Sequence, residues 1–192
     1  MPDEHTGTAA LPRTIVFVDQ PNVELLEIKH QVRMTPDKLM RLAKCRGTIT
    51  DAFVFADIRI DRDPRDWEYA GFQIIACRRY TRAHVENGEA ATKESVDATF
   101  IQRVLRESEK THLEHVILVV GDSDYSNLVQ TLLAKETAVT VFLTERCEFS
   151  NPKLRTRLKE TLALWQASNG ASDSLSLEIM SKTGIADNCA TC

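Results

Sequence analysis

The sequence predicts a single α/β domain in which a mostly parallel, five-stranded sheet carries helices on both of its faces. Short apolar, β-branched runs alternate along the chain with segments whose apolar residues recur at helical spacing. This alternation is typical of parallel sheets with right-handed crossovers. A chain of 192 residues, of which 43% are apolar, is long enough and apolar enough to bury one full core.

Five runs have the composition of strands that are buried on both faces. They are rich in Val, Ile and Phe, and glycine or polar residues bound them. The first run ends in an aspartate, and Gly-Asp follows the fourth. The predicted strands are Thr14–Asp19, Ile49–Ile58, Phe72–Cys77, His115–Val120 and Ala138–Leu143.

Helices are predicted between these runs from apolar spacing and from start signals. Proline at the first turn favours the helix that opens at Thr35-Pro36. The polar segment 78–93, with Gly88 near its centre, is predicted to be a loop. The predicted helices follow Asn22, open at Thr35-Pro36, cover residues 64–70 and 96–105, begin near Leu128 and follow Pro152.

The domain is predicted to span residues 12–168, between a flexible N-terminus (1–11) and a Ser-, Asp- and Thr-rich flexible C-terminal tail (169–192). The N-terminus is acidic and does not resemble a secretory signal, and the longest apolar run is too short to span a bilayer. The single cysteines Cys45, Cys77 and Cys147 are predicted to be buried free thiols. We therefore expect a cytoplasmic protein without membrane association.

Aspartates stand at the ends of two predicted strands. Asp19 ends the first strand, while Asp122 and Asp124 follow the fourth. In an open parallel sheet, ligands bind beyond the carboxyl ends of the strands, at the point where the strand order reverses. Ordinary turn roles would explain Asp19 and Asp122, and a helix N-cap would explain Asp124. Their joint occurrence favours a site.

Asp97 lies four and seven positions before Ile101 and Val104, so it shares the apolar side of its helix. An inward carboxylate is costly unless it is paired or bound to metal, and a buried salt bridge is the alternative. Four crowded carboxylates would raise each other's pKa values at neutral pH unless cations intervene, and oxygen-only ligands suit Mg²⁺ or Mn²⁺. Such a site fits phosphodiester hydrolysis. Glycine-rich phosphate loops, a serine nucleophile elbow and histidine ligand spacing do not occur in the sequence.

Three segments together resemble the signature blocks of NYN domains, which are PIN-like metal-dependent ribonucleases, and the LabA-like branch is the most similar. The segments are V-F-V-D-Q-P-N (16–22), K-E-S-V-D (93–97) and V-G-D-S-D-Y-S-N-L-V (120–129). The resemblance covers roughly residues 13–165. It implies a PIN-like, Rossmann-type fold and a Mg²⁺- or Mn²⁺-dependent ribonuclease that cuts single-stranded RNA, with endonucleolytic cleavage expected.

The resemblance also implies roles for individual residues. The four aspartates would bind the metal, Asn22 would orient water or the scissile phosphate, and Lys93 and Ser123 would contact phosphate. Ordinary surface or turn roles are the alternatives for Lys93 and Ser123. The implied metal ligands are Asp19, Asp97, Asp122 and Asp124.

Two departures from the family pattern lie close to these residues. Gln20-Pro21 stands where the family commonly has glycine, and Glu94 follows Lys93 where a small residue is usual. Neither departure removes a predicted ligand. They do keep open a second hypothesis, a non-catalytic regulatory or adaptor protein that retains the acidic pocket. A phosphatase with an aspartate nucleophile is disfavoured, because Pro21 stands where its second acid is needed.

The partner predicted for this site is single-stranded RNA. Arg78, Arg79 and Arg82 surround Tyr80 after the third strand, a combination that suits phosphate pairing and base stacking, with a solvated loop as the alternative. The net charge of −4 argues against broad phosphate neutralisation on a duplex. A second copy of the chain, in a homodimer, is the other partner considered.

Overall fold

A computed structural model of the protein describes residues 10–24, 34–57, 64–77, 80–82, 91–93, 96–110, 113–121, 125–144, 156 and 175–180. The helices are α1 (Pro36–Lys44), α2 (Arg65–Tyr69), α3 (Val96–Lys110) and α4 (Ser126–Ala134). Residues 20–24 form a short helical segment directly after the first strand. The strands are β1 (Arg13–Asp19), β2 (Thr48–Asp57), β3 (Gln73–Cys77), β4 (Tyr80–Arg82), β5 (Ala91–Lys93), β6 (His115–Val119), β7 (Ala138–Thr144) and β8 (Leu175–Met180).

Six of these strands form one sheet in the order β3-β2-β1-β6-β7-β8, and every neighbouring pair is parallel. The chain runs outward from β1 through β2 to β3, then crosses to β6 and runs outward in the other direction. The strand order therefore reverses between β1 and β6. The crevice beyond the carboxyl ends of these two strands is the position at which open α/β sheets bind ligands.

The two faces of the sheet carry separate cores because successive side chains of a strand alternate between faces. Val16 and Val18 pack with α1 and α2 on one face. Ile15 and Phe17 pack with α3 and α4 on the other. Phe17 is stacked on Phe53 at 5.4 Å between ring centroids. The alternation thus directs Asp19, two residues after Phe17, toward the face that α3 and α4 cover.

The predicted fold class is confirmed, and the structure adds strands that the sequence pattern missed. The sheet has six strands instead of five because Leu175–Met180, expected to be tail, pairs with β7. The predicted loop 78–93 contains an antiparallel pair, β4 and β5. Strands of three residues are too short to show a period. The helix predicted after Pro152 lies outside the described residues, except for residue 156, which is helical.

The described cysteines differ in state. Cys77 is buried and free, as predicted. The prediction is wrong for Cys45, which is disulfide-bonded and lies at the partly exposed C-terminal cap of α1, not in the core. Cys147 lies outside the described residues. Among the helices that the structure describes, none is both long and apolar enough to cross a membrane.

A buried polar chain joins three strands at the amino end of the sheet. Thr14 Oγ1 donates to the carbonyl oxygen of Pro12 at 3.0 Å. Because that donation uses the only hydroxyl proton of Thr14, the ring of His115 donates from Nδ1 to Thr14 Oγ1 across 3.0 Å. His115 Nε2 then accepts from Thr140 Oγ1 at 2.9 Å. These hydrogen bonds suit a neutral imidazole ring. Burial lowers the pKa of His115 to about 4, and the nearby positive charge of Arg46 contributes a smaller part of this shift.

Acid is therefore expected to weaken the fold through His115. The unfolded chain takes up this proton near pH 6.5, whereas the folded chain resists it until about pH 4. The stabilising contribution is thus complete above pH 6.5 and declines as the pH falls to 4, by at most about 3 kcal/mol. Urea unfolding of wild type and His115→Gln at pH 7.5 and 4.5 should show the wild-type advantage shrinking. An advantage that does not change with pH would contradict the assignment.

Candidate metal centre at the switch point

Asp19 ends β1 and caps the helical segment that follows it. Asp19 is buried, with only 1% of its surface exposed. Oδ1 accepts from the backbone N–H of Asn22 at 3.4 Å, and Oδ2 accepts from Asn22 Nδ2 at 2.6 Å. An aspartate at this position satisfies a donor of the first helical turn that would otherwise lack a partner. The same turn thereby fixes the orientation of the carboxylate.

Asp97 reaches the same point from the other side of the crevice. It is the second residue of α3, a helix whose Phe100 and Val104 are fully buried against the sheet. The hydroxyl of Tyr125 lies 2.8 Å from Asp97 Oδ1 and 2.6 Å from Asp19 Oδ2. Two carboxylates that are distant in sequence therefore meet at one phenol oxygen.

Tyr125 is a residue of this site that the sequence interpretation missed. It directly precedes α4 and is fully buried. Its ring makes an edge contact with Phe100 at 5.0 Å between centroids. The sequence does contain one indication of this position. Tyr125 lies three and four positions before the core residues Leu128 and Val129, and this spacing places it on the inner side of the helix.

Burial dominates the electrostatics of Asp19 and raises the pKa of its carboxyl group to about 7. The hydrogen bond from Tyr125 lowers that pKa, the negative charge of Asp97 raises it, and the hydrogen bonds from Asn22 lower it. In the described part of the chain, no positively charged side chain contributes to this shift in the pKa of Asp19. Burial and the two carboxylates raise the pKa of Tyr125 far above its usual range, so the phenol stays protonated and acts as a donor.

The Tyr125 hydroxyl group carries one proton but makes short contacts with two carboxylate oxygens. A phenol carries one proton and donates to one acceptor at a time. When both carboxylates are ionised, the second contact of the Tyr125 oxygen brings two electron-rich atoms together. A proton on one carboxyl group, or a cation beside the pair, removes this repulsion.

Gly121 provides the space that Asn22 occupies. A Cβ atom at position 121 would lie 2.8 Å from Asn22 Oδ1, closer than real contacts allow. The side chain of Asn22 cannot move away without loosening its 2.6 Å bond to Asp19. Gly121, which follows β6, therefore holds the crevice open for the Asn22–Asp19 pair.

Gly121→Ala is consequently expected to damage the site more than the fold. Displacement of Asn22 should weaken Mn²⁺ binding by about tenfold or more, as loss of a partner of a metal ligand typically does. The unfolding midpoint should change little, because the contact involves a side-chain end. Mn²⁺ affinity and thermal unfolding of Gly121→Ala can be compared with those of Gly71→Ala, whose glycine lies at a positive φ of 94° away from the site. The control Gly71→Ala should lower the unfolding midpoint and leave the site unaffected.

Comparison with known proteins places this geometry in a family. The model of the NYN domain matches residues 13–163. The chain belongs to the NYN domain family. NYN domains are PIN-like nucleases, generally ribonucleases, and they are typically metal-dependent. The resemblance to NYN domains is thus confirmed at the level of the family.

A solved structure supports the same fold. A protein of unknown function from Vibrio parahaemolyticus is similar to this NYN chain with a TM-score of 0.60 and 16% sequence identity. The likeness covers 92% of this chain and 97% of that one. At this identity it concerns the fold alone. No curated protein matches the sequence.

Of the residues predicted for the NYN site, the structure brings three together: Asp19, Asn22 and Asp97. Gly121 and Tyr125, which flank residues 122–124 in the sequence, both border the site. Asp122, Ser123 and Asp124 themselves lie outside the described residues, as does Arg78. The backbone of Lys93 ends β5, and that of Arg82 ends β4.

The Gln20-Pro21 pair, which stands where the family commonly has glycine, fits into the helical segment that follows β1. Gln20 is 5% exposed, and its Nε2 donates to Glu24 Oε1 at 2.9 Å, one turn along the helical segment. Pro21 occupies the first helical turn, where a backbone N–H would have no partner within the helix. The contact between Asn22 and Asp19 is therefore preserved despite the missing glycine.

The described side chains fit a hard divalent cation. Asp19 and Asp97 supply only oxygen atoms, which suits Mg²⁺ and Mn²⁺ better than zinc. Two hydrogen bonds occupy Asp19 Oδ2, whereas Oδ1 receives the single long contact from Asn22, so Oδ1 keeps capacity for a further ligand. Within the described residues no group of three His, Cys, Asp or Glu side chains comes together.

Proposed function

We propose that this NYN protein is a ribonuclease that uses Mg²⁺ or Mn²⁺ to hydrolyse phosphodiester bonds at internal positions of single-stranded RNA. The observation that carries the proposal is the convergence of Asp19 and Asp97 on one phenol at the switch point of a parallel sheet. Membership of a family whose members are generally ribonucleases supports the reaction class.

In this proposal Asp19, Asp97, Asp122 and Asp124 hold the metal. When bound, the cation supplies an activated water and neutralises negative charge on the reacting phosphate. The protein contributes orientation: Asn22 and Tyr125 hold the Asp19 carboxylate from two sides. Burial of Asp19 also strengthens every electrostatic interaction at this position, because little water is left to screen it.

The ribbon formed by β4 and β5 supports RNA as the substrate. It follows β3, whose carboxyl end lies at the same edge of the sheet as that of β1 because the strands are parallel. Tyr80 pairs with Lys93 across the ribbon, and Arg82 pairs with Ala91. One short element thus combines an aromatic residue with two cationic ones, the residue types that stack on bases and contact phosphates.

The test is cleavage of a labelled single-stranded RNA by the purified full chain. We expect internal cuts with Mn²⁺ or Mg²⁺, none with EDTA, and slower cutting of duplex RNA and of single-stranded DNA of the same sequence. Calorimetry with Mn²⁺ accompanies the assay. Binding of Mn²⁺ while every RNA stays intact would overturn the proposal and favour the adaptor hypothesis, which keeps the pocket without the reaction.

A further inference from the structure

We propose that Tyr125 is the positioning residue of the carboxylate pair: its hydroxyl group holds Asp19 and Asp97 at the separation at which they share a divalent cation. The inference rests on the proposed metal-dependent function and extends the role of Tyr125 from Asp19 alone to the pair of carboxylates. It starts from two contacts of one oxygen atom, 2.6 Å to Asp19 Oδ2 and 2.8 Å to Asp97 Oδ1.

The two carboxylates need such a link because different elements carry them. Asp19 is fixed by its own turn, through Asn22. Asp97 stands in the first turn of α3, and Phe100, one turn further on, anchors the helix in the core. This anchor positions the backbone of α3 but does not set the side-chain torsions of Asp97. A contact to a fixed group is what restricts them.

Tyr125 provides that fixed group. Its ring is fully buried and meets Phe100 edge-on, so packing restricts both of its side-chain torsions. The two carboxylate oxygens that it contacts are at most 5.4 Å apart, the sum of the 2.6 and 2.8 Å distances. The phenol therefore keeps the two carboxylates close enough together that both would be available to one divalent cation.

The ring and the hydroxyl of Tyr125 are separable by substitution. Tyr125→Phe keeps the buried ring and its contact with Phe100 while it removes the oxygen atom that joins the carboxylates. We expect Mn²⁺ affinity, measured by calorimetry, to fall about 10- to 100-fold, as with other groups that orient metal ligands. The unfolding midpoint in EDTA should change little.

Two control variants separate positioning from packing. Tyr69→Phe makes the same chemical change at a residue that is 81% exposed and should leave both quantities unchanged. Phe100→Leu alters the packing around Tyr125 but keeps its hydroxyl. It should therefore lower the unfolding midpoint, while its loss of Mn²⁺ affinity stays smaller than that of Tyr125→Phe. Wild-type affinity in Tyr125→Phe, or a loss that parallels its loss of stability, would overturn the proposal.

A spectroscopic measurement covers the case in which Tyr125→Phe fails to fold. The chain contains three tyrosines, Tyr69, Tyr80 and Tyr125. The double variant Tyr69→Phe/Tyr80→Phe leaves Tyr125 as the single tyrosine, so the tyrosine doublet in its ultraviolet resonance Raman spectrum reports the hydrogen bonding of this phenol alone. The doublet should change when Mg²⁺ is added, and an unchanged doublet at saturating Mg²⁺ would refute the role.

The two proposals fail in different ways. A wild-type protein that binds no Mn²⁺ and cuts no RNA would remove the proposed function and the positioning role with it. A wild-type protein that binds Mn²⁺ and cuts RNA, beside a Tyr125→Phe variant with the same affinity, would remove the positioning role alone.

Discussion

Asp97→Asn is expected to lower the rate of RNA cleavage by roughly a hundredfold or more, since the loss of a partner of a metal ligand alone typically costs 10- to 100-fold. The substitution removes one negative charge and keeps an oxygen that can accept the hydrogen bond from Tyr125. The geometry of α3 should therefore survive while the site loses attraction for the cation. Initial rates at saturating Mn²⁺, together with Mn²⁺ affinity, measure the effect.

Asp37→Asn is the matched control. Asp37 and Asp97 both stand in the first turn of a helix, where a negative charge interacts favourably with the helix dipole. Asp37 is exposed on α1, whose apolar side packs on the opposite face of the sheet. The two substitutions thus share their effect on helix stability, and only one touches the site. Full cleavage by Asp97→Asn would argue against a metal ligand at this position.

Divalent metal is expected to stabilise the folded chain markedly. At a free concentration about 100 times its Kd, Mg²⁺ or Mn²⁺ contributes about 2.7 kcal/mol, which corresponds to a rise of roughly 5–10 °C in the unfolding midpoint of a chain of this size. Asp19→Asn should abolish this rise. Thermal unfolding at pH 8, with metal and with EDTA, tests both statements.

The sign of the Asp19→Asn effect in EDTA follows from its pKa. The folded-state pKa of about 7 exceeds the reference value of 3.8, so ionisation of Asp19 progressively destabilises the fold as the pH rises between these values. At pH 8 the variant should therefore be at least as stable as wild type in EDTA. Asp51→Asn, which alters a partly buried aspartate of β2, is the control and should keep the metal response. An unchanged metal response in Asp19→Asn would contradict the proposed ligand.

The switch point and the inward Asp97 were predictable because both depend on local periodicity. A run of residues that is apolar on both faces of a strand and ends in aspartate predicts a central parallel strand, and β1 does lie between β2 and β6. The spacing of Asp97 from Ile101 and Val104 predicts the inner side of α3, and its contact with Tyr125 agrees with that side. The metal roles of the four aspartates stay predictions.

The role of Tyr125 could not be predicted in the same way, because a tyrosine at a buried helical position is ordinarily a core residue. Its meaning depends on which oxygen atoms surround its hydroxyl, and these come from two other elements. The ribbon of β4 and β5 was missed for a different reason. Strands of three residues are stabilised by each other and by their context, and neither contribution is visible in a local pattern.

β8 has a practical consequence for work on this protein. The match to the NYN model ends at residue 163, so a shortened gene would naturally stop before Leu175. Such a product would leave β7, with its apolar Val139 and Val141, as the outermost strand, and its backbone donors and acceptors would be available for pairing with another molecule. Aggregates or dimers of that fragment would reflect the cut and carry no information on how the intact protein assembles.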